Sequence, residues 1–415
     1  MSYLSSACAT PSSYSSCAIS SRARVLLYAP QALSKLQQVK IMSPNREIPL
    51  DKEQLQHLVD SWETRPTRSL PTLHKQSLPP PPLPNSNYHT RITRHAMESR
   101  YLINLVNFKP QFFKAQSNVS VWHKVPVKRR SAVMVLLFLG KEGELRVILT
   151  KRSRKLKNFS GHISLPGGKA DHGLESEFQC ARREMEEEIG ISRHNSLLRN
   201  KYGFVLDELK TLPSYLARTF LAVTPCIGFI NWNENTQHHE RILRDLVLNP
   251  GESASIFSVP LRDFLQPPSE IFHPKECLKQ SHIKTKWGGL PWNLRSFVFP
   301  QLNHNEVPWL EDVEDLSSES EDETHEDQEF DVRTRNCWGL TANILHDVAE
   351  IIYNGKKSVI GEEDLIWSLL NHGQLQSSGR TEFELRLSNN TKGCLFSEVL
   401  PDDEIKRLKV LYKNP

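Results

Sequence analysis

The sequence predicts an α/β (α+β) sandwich, a mixed β-sheet held between helices. Three observations predict it. First, the apolar runs Ser131–Leu139 and Leu145–Thr150 are strand-length and flank a turn-forming stretch, Lys141-Glu142-Gly143-Glu144. Second, a helical repeat follows over residues 174–189 and stops at Gly190. Third, strand-like runs at Phe220–Ile230 and Ile256–Pro260 precede an amphipathic helix, Thr341–Tyr353, so strands and helices interleave. In that last helix Ala342, Leu345, Val348, Ile351 and Ile352 share a face, and Gly355 stands just past its end.

Ahead of this region the composition changes. Residues 1–46 carry no Asp or Glu and five basic side chains, Arg22, Arg24, Lys35, Lys40 and Arg46. Such a leader reads as a disordered tail, as an extension upstream of a start at Met42, or as an organelle address. Its composition suits a mitochondrial transit peptide. Arg24-Val25 followed by Gln31-Ala32 resembles a loose amino-terminal peroxisomal signal, although Pro30 interrupts the helix it would need. Residues 47–118 form an expected extension, with a docking helix through Leu55, Leu58, Val59 and Trp62 and a polyproline spacer at 79–84. The catalytic domain is expected over 119–355, followed by a C-terminal extension, 356–415, packed on it.

The net charge of +4 hides an asymmetry. Residues 311–331 hold twelve acids and no Lys or Arg, which leaves the rest of the chain at +16. A solvated, disordered insertion is the leading reading of that block, and a gate folded over a basic site is the sharper one. Ser318 and Ser320 each precede an acid by three residues, a pattern that acidophilic kinases take. A basic body suits a polyanionic ligand. No aromatic-basic interleaving of the RNA-recognition kind is present, so no nucleic-acid partner is expected. The aliphatic run Val133–Leu139 is too short to span a bilayer, and no membrane partner is expected. Seven dispersed cysteines without a CxxC pair read as reduced intracellular thiols, and a zinc site is not expected.

The chemistry concentrates in 165–191. On the helix, Leu174, Phe178, Ala181, Met185 and Ile189 make a stripe that should face the core. Glu184, Glu187 and Glu188 stand at i, i+3 and i+4, so their carboxylates should cluster on the other side. Like charges at that spacing repel, and a hard divalent cation, Mg²⁺ or Mn²⁺, would offset the repulsion. The plain alternative is a solvated acidic face. Arg183, four residues before Glu187, can hold a carboxylate. Pro166-Gly167-Gly168 ends a strand with a turn that lets backbone approach the helix, so Gly168 could offer a carbonyl to the metal and Gly167 an amide to phosphate. Basic residues Lys151, Arg152, Arg154, Lys155 and Lys157 lie just upstream. Together these parts suit a metal-bridged diphosphate.

This segment resembles a Nudix box, G-x5-E-x7-R-E-U-x-E-E-x-G-U with U aliphatic. Glu175, Arg183, Glu184, Met185, Glu187, Glu188, Gly190 and Ile191 fall in register, while six residues rather than five separate Gly168 from Glu175. Leu149-Thr150-x-Arg152-Ser153-x-x-Leu156-Lys157 and Gly161-x-Ile163-x-Leu165-Pro166-Gly167-Gly168 resemble the signature of the coenzyme A diphosphatases, with Lys157 and Phe159 as departures from it. Asn249-Pro250-Gly251-Glu252, Phe257-Ser258-Val259-Pro260-Leu261 and Trp338-Gly339-Leu340-Thr341 are similar to landmarks of the same family. The likeness covers about 119–400, and the acidic insertion and short C-terminal region most resemble the peroxisomal branch known from yeast. It implies a Nudix fold and Mg²⁺- or Mn²⁺-dependent hydrolysis of the diphosphate in coenzyme A species. Glu184, Glu187 and Glu188 would then hold metal, one of the three also serving as the catalytic base, with Arg183 supporting them and Gly168 as a further ligand. Arg152, Lys157, Gly167 and Glu252 would meet substrate. A peroxisomal location and an import receptor follow from the same likeness, with mitochondrion or cytoplasm as alternatives. Hydrolysis of 8-oxo-dGTP, NADH or ADP-ribose is the competing activity, and a non-catalytic nucleotide- or RNA-binding module the competing class.

Overall fold

A computed structural model describes residues 41–43, 46–48 and 94–413, apart from 116–118, 142, 233–245, 266–275, 312, 314, 317–331 and 356–358. The expected docking helix, the polyproline spacer, Ser318, Ser320 and most of the leader and of the acidic block lie outside the described residues. Within 1–82, β1 (Ile41–Ser43) and β2 (Arg46–Ile48) pair antiparallel, with Met42 opposite Glu47. Sequence reading anticipated no strand there.

Within 83–415 the order begins with α1 (Arg94–Asn107), β3 (Arg130–Leu139), β4 (Leu145–Arg152), β5 (Ile163–Ser164), β6 (Gly167–Lys169) and α2 (Glu177–Ile189). Then come α3 (Asn195–Tyr202), β7 (Phe204–Thr211), β8 (Tyr215–Leu216), β9 (Ala222–Trp232) and β10 (Ser253–Pro260). The remainder is β11 (Lys279–Trp287), β12 (Leu290–Pro300), α4 (Pro308–Glu311), β13 (Thr334–Trp338), α5 (Leu340–Asn354), α6 (Glu363–Asn371), α7 (Glu382–Ser388) and α8 (Asp402–Leu411).

The main sheet runs β10-β4-β3-β9-β7, with β5, β6 and β8 on its neighbours. β3 and β9 are parallel and the other pairs antiparallel, so the sheet is mixed. Its two-residue period decides the layers. Ala132, Met134, Leu136 and Phe138 of β3 enter one core with Ala181, Met185 and Ile189 of α2. Val135, Leu137 and Leu139 enter the opposite core with Leu345, Val348 and Ile352 of α5. Strand β3 is therefore buried on both faces, which is why it reads as an unbroken apolar run.

Two expectations need correcting. The helix expected from 174 starts at Glu177, because the Ser176 hydroxyl accepts from the Gln179 amide and the Gln179 side chain accepts from the Ser176 amide. Leu174 therefore precedes the helix and is 84% exposed, outside the core stripe. The boundary drawn near residue 118 also runs through packed structure. Leu102 and Leu105 of α1 belong to the α5-side core, and the Asn104 amide donates to the Ile352 carbonyl. The small sheet β11-β12-β13 was not anticipated either, since most β11 side chains are exposed and carry no apolar alternation.

Two buried polar anchors join the C-terminal elements to the catalytic region. Glu363, at the start of α6, accepts from the Phe113 and Ser214 amides and from the Ser120 and Ser214 hydroxyls. Arg129 pairs with buried Glu384 of α7 at 2.5 Å and donates to the Ser377 and Gly379 carbonyls. No helix among the described residues is long and apolar enough to cross a membrane.

Candidate active site

Helix α2 places the carboxylates unevenly. Glu187 remains on the solvent side, with 44% of its side chain exposed. Glu188 is buried at 5% exposure, because it lies toward the glycine turn rather than on an open acidic face. This corrects the expectation of a single outward cluster. Burial pushes the Glu188 carboxyl up to about 8, against the Gly167 amide and Arg152, and repulsion from Glu184 and Glu252 adds to the rise. Burial also raises Glu184, against its bond to Arg183 and with repulsion from Glu187 and Glu252.

The glycine turn closes over these groups. The Gly167 amide donates to Glu188 Oε2 at 3.2 Å. A Cβ on residue 167 would come within 2.4 Å of the Ala132 carbonyl oxygen, so a side chain cannot be accommodated. At Gly168 a Cβ would lie 2.3 Å from Glu184 Oε2, so the missing side chain is the space the Glu184 carboxylate fills. The Gly168 carbonyl accepts from Ser131 Oγ at 2.7 Å and has Cys180 Sγ 3.7 Å away. Its expected offer to a metal thus competes with two donors of the protein itself.

Arg183 organises the acids. Its guanidinium, buried at 8% exposure, donates to Glu175 Oε1 (2.9 Å), Glu184 Oε1 (3.0 Å), Glu187 Oε2 (3.1 Å) and the Lys169 carbonyl (2.7 Å). One fork therefore fixes two of the proposed metal-binding acids and the loop in front of them. Glu175 is the base of this arrangement. Its carboxyl is held below the usual range, since Arg183 and the Asp171 amide outweigh burial. Glu175 falls in register with the box, but the sequence alone assigns it no role. Its position eight residues before Arg183, more than two helical turns away, offered no local reason to pair them.

The far wall comes from β4 and β10. Arg152 Nη1 lies 3.9 Å from Glu188 Oε1, and its buried Nε has no hydrogen-bond partner. Glu252 stands beside Ser253, which pairs with Arg152 across the sheet, and the Glu252 carbonyl accepts from the Ser153 amide. Its Oε2 is buried and also without a partner. The Asn249 amide donates to the Glu188 carbonyl and ties this loop to the end of α2. Lys157 lies exposed in the loop after β4 and makes no described contact with the carboxylates. His162 faces Arg152 across backbone hydrogen bonds, and burial, followed by that cation, lowers its imidazole.

Among the described residues no three His, Cys, Asp or Glu side chains already converge as a metal site. The donor set nevertheless fits a hard divalent cation. Burial raises both Glu184 and Glu188, with repulsion from neighbouring carboxylates adding to it, Glu252 adds an orphaned buried oxygen, and thiol and imidazole ligands play no part in the cluster.

Comparison with known proteins agrees with this geometry. The NUDIX domain family matches residues 128–275. A Saccharomyces cerevisiae protein named peroxisomal coenzyme A diphosphatase 1 is 41% identical over 337 residues, covering 76% of this chain and 96% of its own length. Nudix hydrolase 15, mitochondrial, of Arabidopsis thaliana is 36% identical over 37% of this chain and 48% of its own. A peroxisomal coenzyme A diphosphatase of Mus musculus is 29% identical over 39% of this chain and 58% of its own. The chain thus spans nearly all of the yeast relative and about half of the plant and mouse ones. Likeness of that extent to the yeast protein, with the family match lying across the carboxylate helix and its glycine turn, makes this chain a member of the Nudix hydrolase family.

Proposed function

We propose that the protein hydrolyses the diphosphate of coenzyme A and its derivatives, oxidised forms included, to 3′,5′-ADP and 4′-phosphopantetheine or its derivative. The observation that carries the reading is the near full-length similarity to a relative named for that activity, over a site whose groups suit a diphosphate. Nudix hydrolases generally need divalent metal ions. Glu184, Glu187 and Glu188 would hold Mg²⁺ or Mn²⁺, as their hard oxygen donors favour. When bound, such an ion supplies neutralisation of the diphosphate charge and a more acidic water. Arg183 keeps Glu184 and Glu187 in place, and Gly168 leaves the room Glu184 occupies. Arg152, with an unpaired Nε, binds a phosphate oxygen beside Glu188, and the Gly167 amide borders the same space. Glu252, whose buried Oε2 has no partner, would add a further acid beside Glu188, and one of Glu184, Glu187 and Glu188 would serve as the base. Lys157 and its basic neighbours would meet the 3′-phosphate.

The substrate reading is tested by a panel of coenzyme A species, NADH, ADP-ribose and 8-oxo-dGTP with Mg²⁺ or Mn²⁺, with products separated by chromatography. Coenzyme A species should turn over fastest. Faster turnover of NADH or 8-oxo-dGTP would overturn the assignment. A peroxisomal location is proposed with it, on the names of the yeast and mouse relatives and on the signal-like Arg24-Val25 and Gln31-Ala32. Co-localisation of a tagged full chain with a mitochondrial marker instead would contradict that placement.

A further inference from the structure

Beside the carboxylates lies a row of aromatic rings that the chemistry above does not use. Phe159 and Trp338 are large aromatics left 46% and 42% exposed. His162 stands between them, edge-on to Phe159 (centroids 5.6 Å apart, planes at 61°) and tilted against Trp338 (5.1 Å, 48°). Phe159 and His162 come from the loop after β4 and Trp338 from the end of β13, two places far apart in the chain. Phe159 has φ 54°, a left-handed conformation that a bulky residue adopts only where surrounding structure holds it. An exposed ring kept in a costly backbone state is poorly explained by packing, because nearly half of it packs against nothing.

The row also starts at the reaction centre. Arg152, 3.9 Å from Glu188, donates its backbone amide to the His162 carbonyl and accepts from the Gly161 amide. His162 is therefore one strand spacing, about 4.8 Å, from the backbone of Arg152. Trp338 is one ring contact beyond. The loop carrying Phe159 also presents Arg154, Lys155 and Lys157 at the surface. Cations beside exposed aromatic faces suit a flat aromatic base whose sugar carries phosphate.

We propose that the exposed rings of Phe159 and Trp338, set apart by His162, hold the purine base of the substrate by stacking against a ring face while its diphosphate meets Arg152 and the carboxylates. The inference rests on the coenzyme A reading and adds to it the residues that select the nucleotide end. Stacking on such a ring face tolerates no aliphatic replacement and accepts another aromatic ring.

The test uses the full chain and 1,N6-ethenocoenzyme A, whose base fluoresces. Binding in metal-free buffer should quench that fluorescence. F159L and W338L should weaken quenching and raise KM for coenzyme A about 10-fold each, with kcat little changed, whereas W338F should retain both. Unchanged melting temperatures would separate this result from loss of fold. If coenzyme A is hydrolysed but F159L and W338L keep wild-type quenching and KM, the stacking site is wrong and the substrate reading stands. If coenzyme A is neither bound nor hydrolysed, both are wrong.

Discussion

The carboxylate of Glu184 occupies the space that a side chain at Gly168 would fill, with Oε2 only 2.3 Å from the position of that missing Cβ. Glycine turn and acidic helix are thus two halves of one fitted contact. Substituting G168A should push Glu184 from its bond to Arg183. Displacement of a catalytic group by about 1 Å costs on the order of 10²-fold in rate. We expect such a loss in kcat with little change in melting temperature, read by steady-state kinetics alongside thermal unfolding.

Arg183 makes a different prediction. It reaches Glu175, Glu184, Glu187 and the Lys169 carbonyl at once, which a lysine ammonium cannot do. R183K should therefore behave almost like loss of the arginine, lowering kcat at least about 10-fold. Titration with Mg²⁺ should show a weaker requirement curve, because the acids are no longer held together.

The buried Arg129–Glu384 pair predicts an effect on stability alone. Removing one partner leaves an uncompensated buried charge, a loss of about 3–5 kcal/mol. E384Q keeps the shape and removes the charge, so urea unfolding should shift to lower midpoint while coenzyme A turnover at low temperature persists.

Glu363 gives the pH dependence. Burial pushes its carboxyl up from 4.5 to about 7, despite four hydrogen bonds that favour the ionised form. Because the folded value is raised, the stabilising contribution is complete below pH 4.5 and disappears as pH rises through about 7. Stability in metal-free buffer should therefore fall across that window, by at most about 1.4 kcal/mol per pH unit for one group. In E363Q the fall should be shallower, as measured by urea unfolding at a series of pH values.

How far these features could be read from the chain varies with their range. Strand β3 and helix α2 were legible because their periods, two and 3.6, are written in adjacent residues. So was the place of Glu184, Glu187 and Glu188 on one helix, which needs only helical spacing, though they do not form the single outward cluster that spacing suggests. The depth of Glu188 was not, since it depends on Gly167 and on the β4–β10 loops closing over it. Arg129 and Glu384 are 255 residues apart, and no local pattern joins them. Trp338 lies in a motif similar to the family's, yet only the packing of β13 sets it beside His162. Leu174 misleads because the apolar spacing continues two residues beyond the point where Ser176 caps the helix.

The central claim concerns the substrate, and an internal competition tests it most directly. Coenzyme A, NADH and 8-oxo-dGTP at equal concentration, with Mg²⁺ and the full chain in one vessel, are consumed in the ratio of their kcat/KM values. 3′,5′-ADP and 4′-phosphopantetheine should accumulate first, and both should disappear with E187Q. Preferential loss of NADH or 8-oxo-dGTP, or undiminished product formation by E187Q, would contradict that claim.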